Sequence, residues 1–200
     1  MNLSVFLITI AYRSMRRAVP DNDFFDQLGT FEAIAFAWFA IEALLNELAY
    51  FEVHELQLRS QIVYEAVERG GRGFERVQAV LTYLYGTGLE DGTHPANDLK
   101  HLAKLRNGLV HYKFRDPRVV STLKDLQQRG YFVEPAQGWD QTPLAWPSQV
   151  KPELGQWAYN TACDAALAIA DLMPHDHDHA SEAGLIRNNF EKRAMDAPMA

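Results

Sequence analysis

The chain holds 200 residues, of which 48% are hydrophobic and 22% charged, enough for one globular domain with its own core. A net charge of −7 excludes a general nucleic-acid coat or a membrane-surface binder, both of which need a broad basic face, but leaves room for a local basic site. The single cysteine, Cys163, excludes an intramolecular disulfide framework and suits a reducing compartment.

The opening "MNLSVFLITIAYRSMRR" reads as an amphipathic helix. Its apolar run is short and its arginines follow that run, the wrong order for a secretory signal. No run approaches the length of about 20 apolar residues that spans a bilayer, so the expectation is a cytoplasmic chain with no membrane partner. "VPDND" breaks the helix and can cap a new one near Asp23. The strongest element follows, a long central helix beginning near Gly29–Thr30. Ile34, Trp38, Ile41, Leu45, Leu48 and Ala49 fall on one stripe there at helical spacing. Trp38, Phe39, Tyr50 and Phe51 share that spacing and read as core or dimer seam. "LQLRSQIVYEAVER" is a shorter amphipathic helix that Gly70–Gly71 stops; "RGGRG" lacks the preceding strand of a phosphate loop and reads as a helix-breaking turn. "FERVQAVLTYLYG" follows, with Val77, Val80, Leu81 and Leu84 on one side and Gly86 as its stop.

After a Gly-, Pro- and Asp-containing loop, a helix is expected from about Pro95 to Phe114, then another over "RVVSTLKDLQQRG". Residues 131–151 are rich in proline and tryptophan, lack helical period, and read as a long irregular loop, a lid or a hairpin, with Trp139 and Trp146 placed to pack or to close over a site. The last main helix is "PELGQWAYNTACDAALAIADLM", whose packing face makes Cys163 a buried, inert thiol. "HDHDH" at 175–179 then reads as a solvated acidic and histidine-rich run rather than a metal site. The architecture this predicts is an all-α, single-domain bundle of about five to seven helices over residues 1–174. Residues 175–200 are expected to form a polar, poorly ordered tail.

Chemistry concentrates in "LRNGLVHYK", residues 105–113. On a wheel of about 100° per residue, Leu99, Leu105, Leu109 and Val110 gather around Leu102, while Lys100, Lys104, Asn107 and His111 gather opposite. Asn107 and His111 stack one turn apart. Arg106 falls on the flank of the apolar stripe, where a guanidinium needs a partner, and Glu42 or Asn46 of the central helix can supply one. Gly108 costs about 1 kcal/mol against alanine inside a helix, which argues for close approach of another helix. The segment is basic although the protein is not: Lys100, Lys104, Arg106, Lys113, Arg115 and Arg118 are opposed only by Asp98 and Asp116. Such an island suits a phosphate, which an arginine can fork while a histidine titrates near neutral pH.

"RNGLVH" resembles the signature of the HEPN superfamily, an arginine, a polar residue, and a histidine about four to six residues beyond the arginine. "AIEALLNELAYF" is similar to the helix that precedes the signature in that family. The resemblance implies a small helical bundle acting as a metal-independent endoribonuclease, in a toxin or defence setting, with no cofactor and no metal. Arg106, Asn107 and His111 would be its catalytic residues, Glu42 and Asn46 their support, and Lys100, Lys104, Lys113 and Arg115 contacts to the RNA backbone. It further implies a homodimer whose two signatures face each other, giving Gly108 its reason, and an antitoxin or nucleotidyltransferase-type protein partner. The alternative is a catalytically inactive HEPN-like module that binds or scaffolds through a protein partner or a nucleotide.

Overall fold

The computed structural model describes residues 2–17, 27–54, 71–111, 117–133 and 149–191; the side chains at 53, 54, 111, 177 and 178 lie outside that description. The described residues form seven helices: α1 Leu3–Arg17, α2 Leu28–His54, α3 Phe74–Tyr85, α4 Ala96–His111, α5 Pro117–Gln128, α6 Glu153–Leu172 and α7 His177–Asn189. The chain is an all-helical bundle, as its periodicity predicts. The expected helix start near Asp23, the helix of residues 56–69, the middle of the 131–151 loop with Trp139 and Trp146, and residues 192–200 lie outside the described residues.

Helix α2 is the hub because it is apolar nearly all round. Its stripe of Ile34, Trp38, Ile41, Leu45, Leu48 and Ala49 is buried, and so are Ala33, Ala37, Ala40, Ala43 and Leu44 on other faces. Small side chains let neighbours come close: a Cβ on Gly155 of α6 would meet Thr30 Cα at 3.4 Å and Ala33 Cβ at 3.5 Å. Helix α1 runs antiparallel along it, since the Ser4 amide donates to Glu47 at 3.1 Å and the Ser14 hydroxyl donates to Glu32 at 2.9 Å. The first of these bonds satisfies an amide that has no partner within its own helix. The expectation that no segment reaches spanning length is corrected here: Leu28–Glu52 is long and apolar enough by composition. In the fold most of that segment is buried within the bundle.

Two elements position α4. Asp98, in its first turn, accepts a two-pronged bond from Arg129 at 2.7 and 3.0 Å and a third from the Trp157 indole at 3.1 Å. Burial alone would raise its pKa, but these donors outweigh burial and hold the carboxyl below its usual range. Leu99, Leu102 and Leu105 fix the other face in the core at 0% exposure. The expected apolar stripe opens at its C-terminal end, where Val110 is exposed.

Residues 175–191 depart from the expectation of a poorly ordered tail. Asp176 caps α7 by accepting the His179 amide at 2.9 Å, and Ala183, Ile186 and Phe190 are buried in the main core. The apolar positions in "ASEAGLIRNNF" are few but spaced to reach one face, and the Tyr159 hydroxyl pins the end by donating to the Glu191 carbonyl at 2.7 Å. The "HDHDH" run is likewise not all solvated: His179 is buried. The 131–151 segment has paired ends, Phe132 and Val150 forming an antiparallel bridge.

Candidate functional site

A cleft of about 780 Å³ opens where α2, α3, α4 and α5 meet. Trp38 and Glu42 of α2 line it, as do residues Gly71 to Arg76 leading into α3. Lys100, Lys104, Arg106 and Asn107 come from α4, and Arg118 from α5. Six cationic side chains therefore converge against two carboxylates, Glu42 and Glu75, on a protein whose net charge is −7. Fields of one sign focus in such a concavity and raise the local concentration of anions.

Arg106 is held from three sides. Its Nη1 donates to Asn107 Oδ1 at 2.9 Å, its Nη2 lies 3.9 Å from Glu42 Oε2, and its guanidinium carbon stands 4.9 Å over the Phe39 ring. The side chain is 17% exposed, and its buried Nε has no hydrogen-bond partner among the described residues. An unmet donor on a buried guanidinium is costly unless something visits it. Glu42 is thus the member of the expected supporting pair that reaches Arg106. Asn46 does not: it is exposed and accepts from Arg76 at 3.1 Å.

Lys100 and Lys104 both line the cleft, as the wheel placed them with Asn107. Lys100 is partly engaged, paired with Asp91 and lying 5.0 Å over the Phe74 ring. His111 is the last residue of α4, and its side chain lies outside the described residues, as do Lys113 and Arg115. Among the described residues no histidine lines the cleft. His94 is bound to Asp164 at 2.9 Å, and His101 to Thr122 at 3.1 Å, with burial pulling the His101 pKa down.

Gly108 has a packing reason within the chain. A Cβ there would meet Val119 Cγ1 at 3.3 Å, so α5 is the close neighbour that the glycine admits within the chain. Sequence reasoning allowed Arg72 a contact to an RNA backbone but did not place the α3 wall against α4. Gly71 and Gly73 adopt φ of 81° and 63°, conformations that side chains disfavour. That turn sets Gly73 against α4, where a Cβ would lie 3.6 Å from Ala103 Cβ and 3.8 Å from Asn107 Nδ2. The "RGGRG" turn, read as a helix breaker, therefore also sets Arg72 on the cleft beside the α4 turn that carries Asn107. Its paired glycines beside two arginines were the available signal.

Both ring nitrogens of His179 are occupied, by Asp176 at 2.6 Å and Glu52 at 2.9 Å. Among the described residues no group of three or more His, Cys, Asp or Glu side chains is arranged to hold an ion.

Fold and cleft together define an all-helical bundle with an anion-attracting concavity built around an Arg–Asn pair. No protein-family model, no curated protein and no solved structure matches this chain.

Proposed function

We propose that the cleft cleaves RNA without a metal ion, as an endoribonuclease of the HEPN type. The observation that carries this reading is the setting of Arg106: braced by Glu42, Asn107 and Phe39, it stands among five further cations. A guanidinium so fixed suits a phosphoryl group whose negative charge grows in the transition state. His111, one turn beyond Asn107, takes the proton from a ribose 2′-hydroxyl. That oxygen attacks phosphorus, the bond to the 5′-oxygen breaks, and the leaving oxygen is reprotonated. The products are a 2′,3′-cyclic phosphate and a 5′-hydroxyl, with no oxidant or cofactor required. Exposed Val110 beside His111 gives a second α4 an apolar place to meet the first, in keeping with a homodimer. Operation as a toxin or defence component, held by an antitoxin or nucleotidyltransferase-type partner, belongs to the same proposal.

A second reading, a catalytically silent binding module, draws on the low exposure of Arg106 and its existing partners. One assay separates the two. Single-stranded RNA is incubated with wild type, Arg106→Ala and His111→Ala in the presence of EDTA. Wild type is expected to cleave, and each variant to be slower by about 10²–10³-fold. Equal rates in all three would remove the assigned roles, and a wild type silenced by EDTA would remove the metal-free mechanism. RNA bound but never cut would select the silent module.

A further inference from the structure

One phosphate at Arg106 leaves most of the cleft's charge unused. Arg72 and Lys104 line the same cavity, and neither has an ion-pair partner among the described residues. Arg76 is held by a neutral amide, Asn46, rather than by a carboxylate. Like charges brought together in a partly enclosed space repel, and on an acidic chain acidic neighbours for them would be easy to supply. The volume of about 780 Å³ also exceeds what a single phosphate fills and lies within the range of about 300–1,000 Å³ typical of ligand sites. The α3 wall is fixed at the right place: Gly73, next to Arg72, touches the α4 turn that carries Asn107. The wall is set by backbone geometry, and Arg72 rises from it exposed.

We infer that Arg72 and Lys104 form a second phosphate position, so that the cleft takes a single-stranded RNA by two successive backbone phosphates, one at Arg106 and the next between α3 and α4. This rests on the ribonuclease reading of the same site. The apolar lining residues bear on how the strand is read. Trp38 is 1% exposed, and Phe74 lies under Lys100, so neither offers a free face for base stacking. Recognition by these walls is therefore through the backbone, and it is sensitive to salt.

The test uses the full chain and an uncleavable 2′-O-methyl RNA dodecamer, with dissociation constants measured by fluorescence anisotropy across a series of sodium chloride concentrations. Arg72→Ala and Lys104→Ala should each weaken binding several-fold at low salt and reduce the slope of log affinity against log salt by about 0.7, the loss of one phosphate contact on a single strand. Arg72→Lys should keep the slope. Lys124→Ala, an exposed charge outside the cleft, should leave both affinity and slope as in wild type. With cleavable RNA, the two cleft variants should raise KM and keep kcat. RNA cleavage with unchanged slopes in both variants would overturn the second position and leave the ribonuclease reading intact. Slopes reduced as expected without any cleavage would do the reverse. A wild type that ignores the dodecamer but binds a phosphopeptide through Arg72 would overturn the RNA assignment in favour of a protein partner.

Discussion

Gly108 shows how one missing methyl group shapes the site. The residue follows Arg106 and Asn107 directly, and its bare backbone lets Val119 of α5 come within 3.3 Å of where a Cβ would stand. Gly108→Val should therefore destabilise the fold by about 1–3 kcal/mol through overpacking. Val119→Ala in the same chain should restore part of that loss, a coupling that thermal melts of the two single variants and the double variant would reveal. A loss that varied with protein concentration and ignored Val119 would instead place the close neighbour in a second copy. At this scale the sequence was readable where the logic is local. Arg106 on the flank of an apolar stripe demands a partner, and Glu42, just off the α2 stripe, supplies one at 3.9 Å. Asn46 was equally eligible by spacing, since residues four apart share a face. Only the packing of α3, which brings Arg76 to Asn46, separates the two. Arg72 was legible as a charge and not as a neighbour, because its route to α4 runs through two glycines with positive φ.

Helix α7 raises a different question, since its apolar face is sparse and a buried polar cluster helps hold it down. His179 lies between Asp176, which caps α7, and Glu52 near the end of α2, with the Tyr85 and Phe51 rings edge-on at 6.4 and 6.0 Å. Burial pushes the His179 pKa down, but the hydrogen bonds and charges of Asp176 and Glu52 outweigh it, and the pKa is raised. Burial and the charge of Glu52 push the Tyr85 hydroxyl far up, so it stays neutral. Glu182, one turn along α7, is raised by burial and then by Glu47. A folded-state histidine pKa above the unfolded value of about 6.5 stabilises the fold fully below that pH, and the contribution fades as pH rises through the folded value. Docking of α7 should thus be firmest in mild acid and loosen on the alkaline side. Hydrogen exchange of α7 amides followed from pH 6 to pH 9 should show falling protection, corrected for intrinsic exchange, while His179→Gln should flatten the dependence. Protection that rose with pH in wild type would contradict the raised pKa. None of this was visible in "HDHDH", because local spacing cannot report that Glu52, far back in the chain, waits at the other end.

Across the whole molecule, the helices that make the bundle and the helices that make the cleft overlap only in part. Periodicity predicted α1 to α6 because each carries an apolar stripe long enough to stand out, and the all-α class followed. The cleft was only half legible, since its α4 wall lies in one continuous segment while its α3 and α5 walls arrive by tertiary packing. The same reasoning explains the error at residue 175. Few apolar positions and many charges look like a tail, yet Ala183, Ile186 and Phe190 are enough to join the main core when α6 packs along the helix and Glu52 of α2 holds His179. Phe190 is 0% exposed, so Phe190→Ala should cost about 3–5 kcal/mol. Ending the chain at residue 174 removes Phe190 together with the Glu52–His179 pair, the Tyr159–Glu191 bond and the Arg187–Asp171 pair at 2.9 Å. Total stabilities of about 5–15 kcal/mol leave little margin for such a loss. The shortened chain should melt far below the full one or not fold cooperatively. A shortened chain that melts with the full-length midpoint would mean that α7 is a passenger on a bundle complete at residue 174.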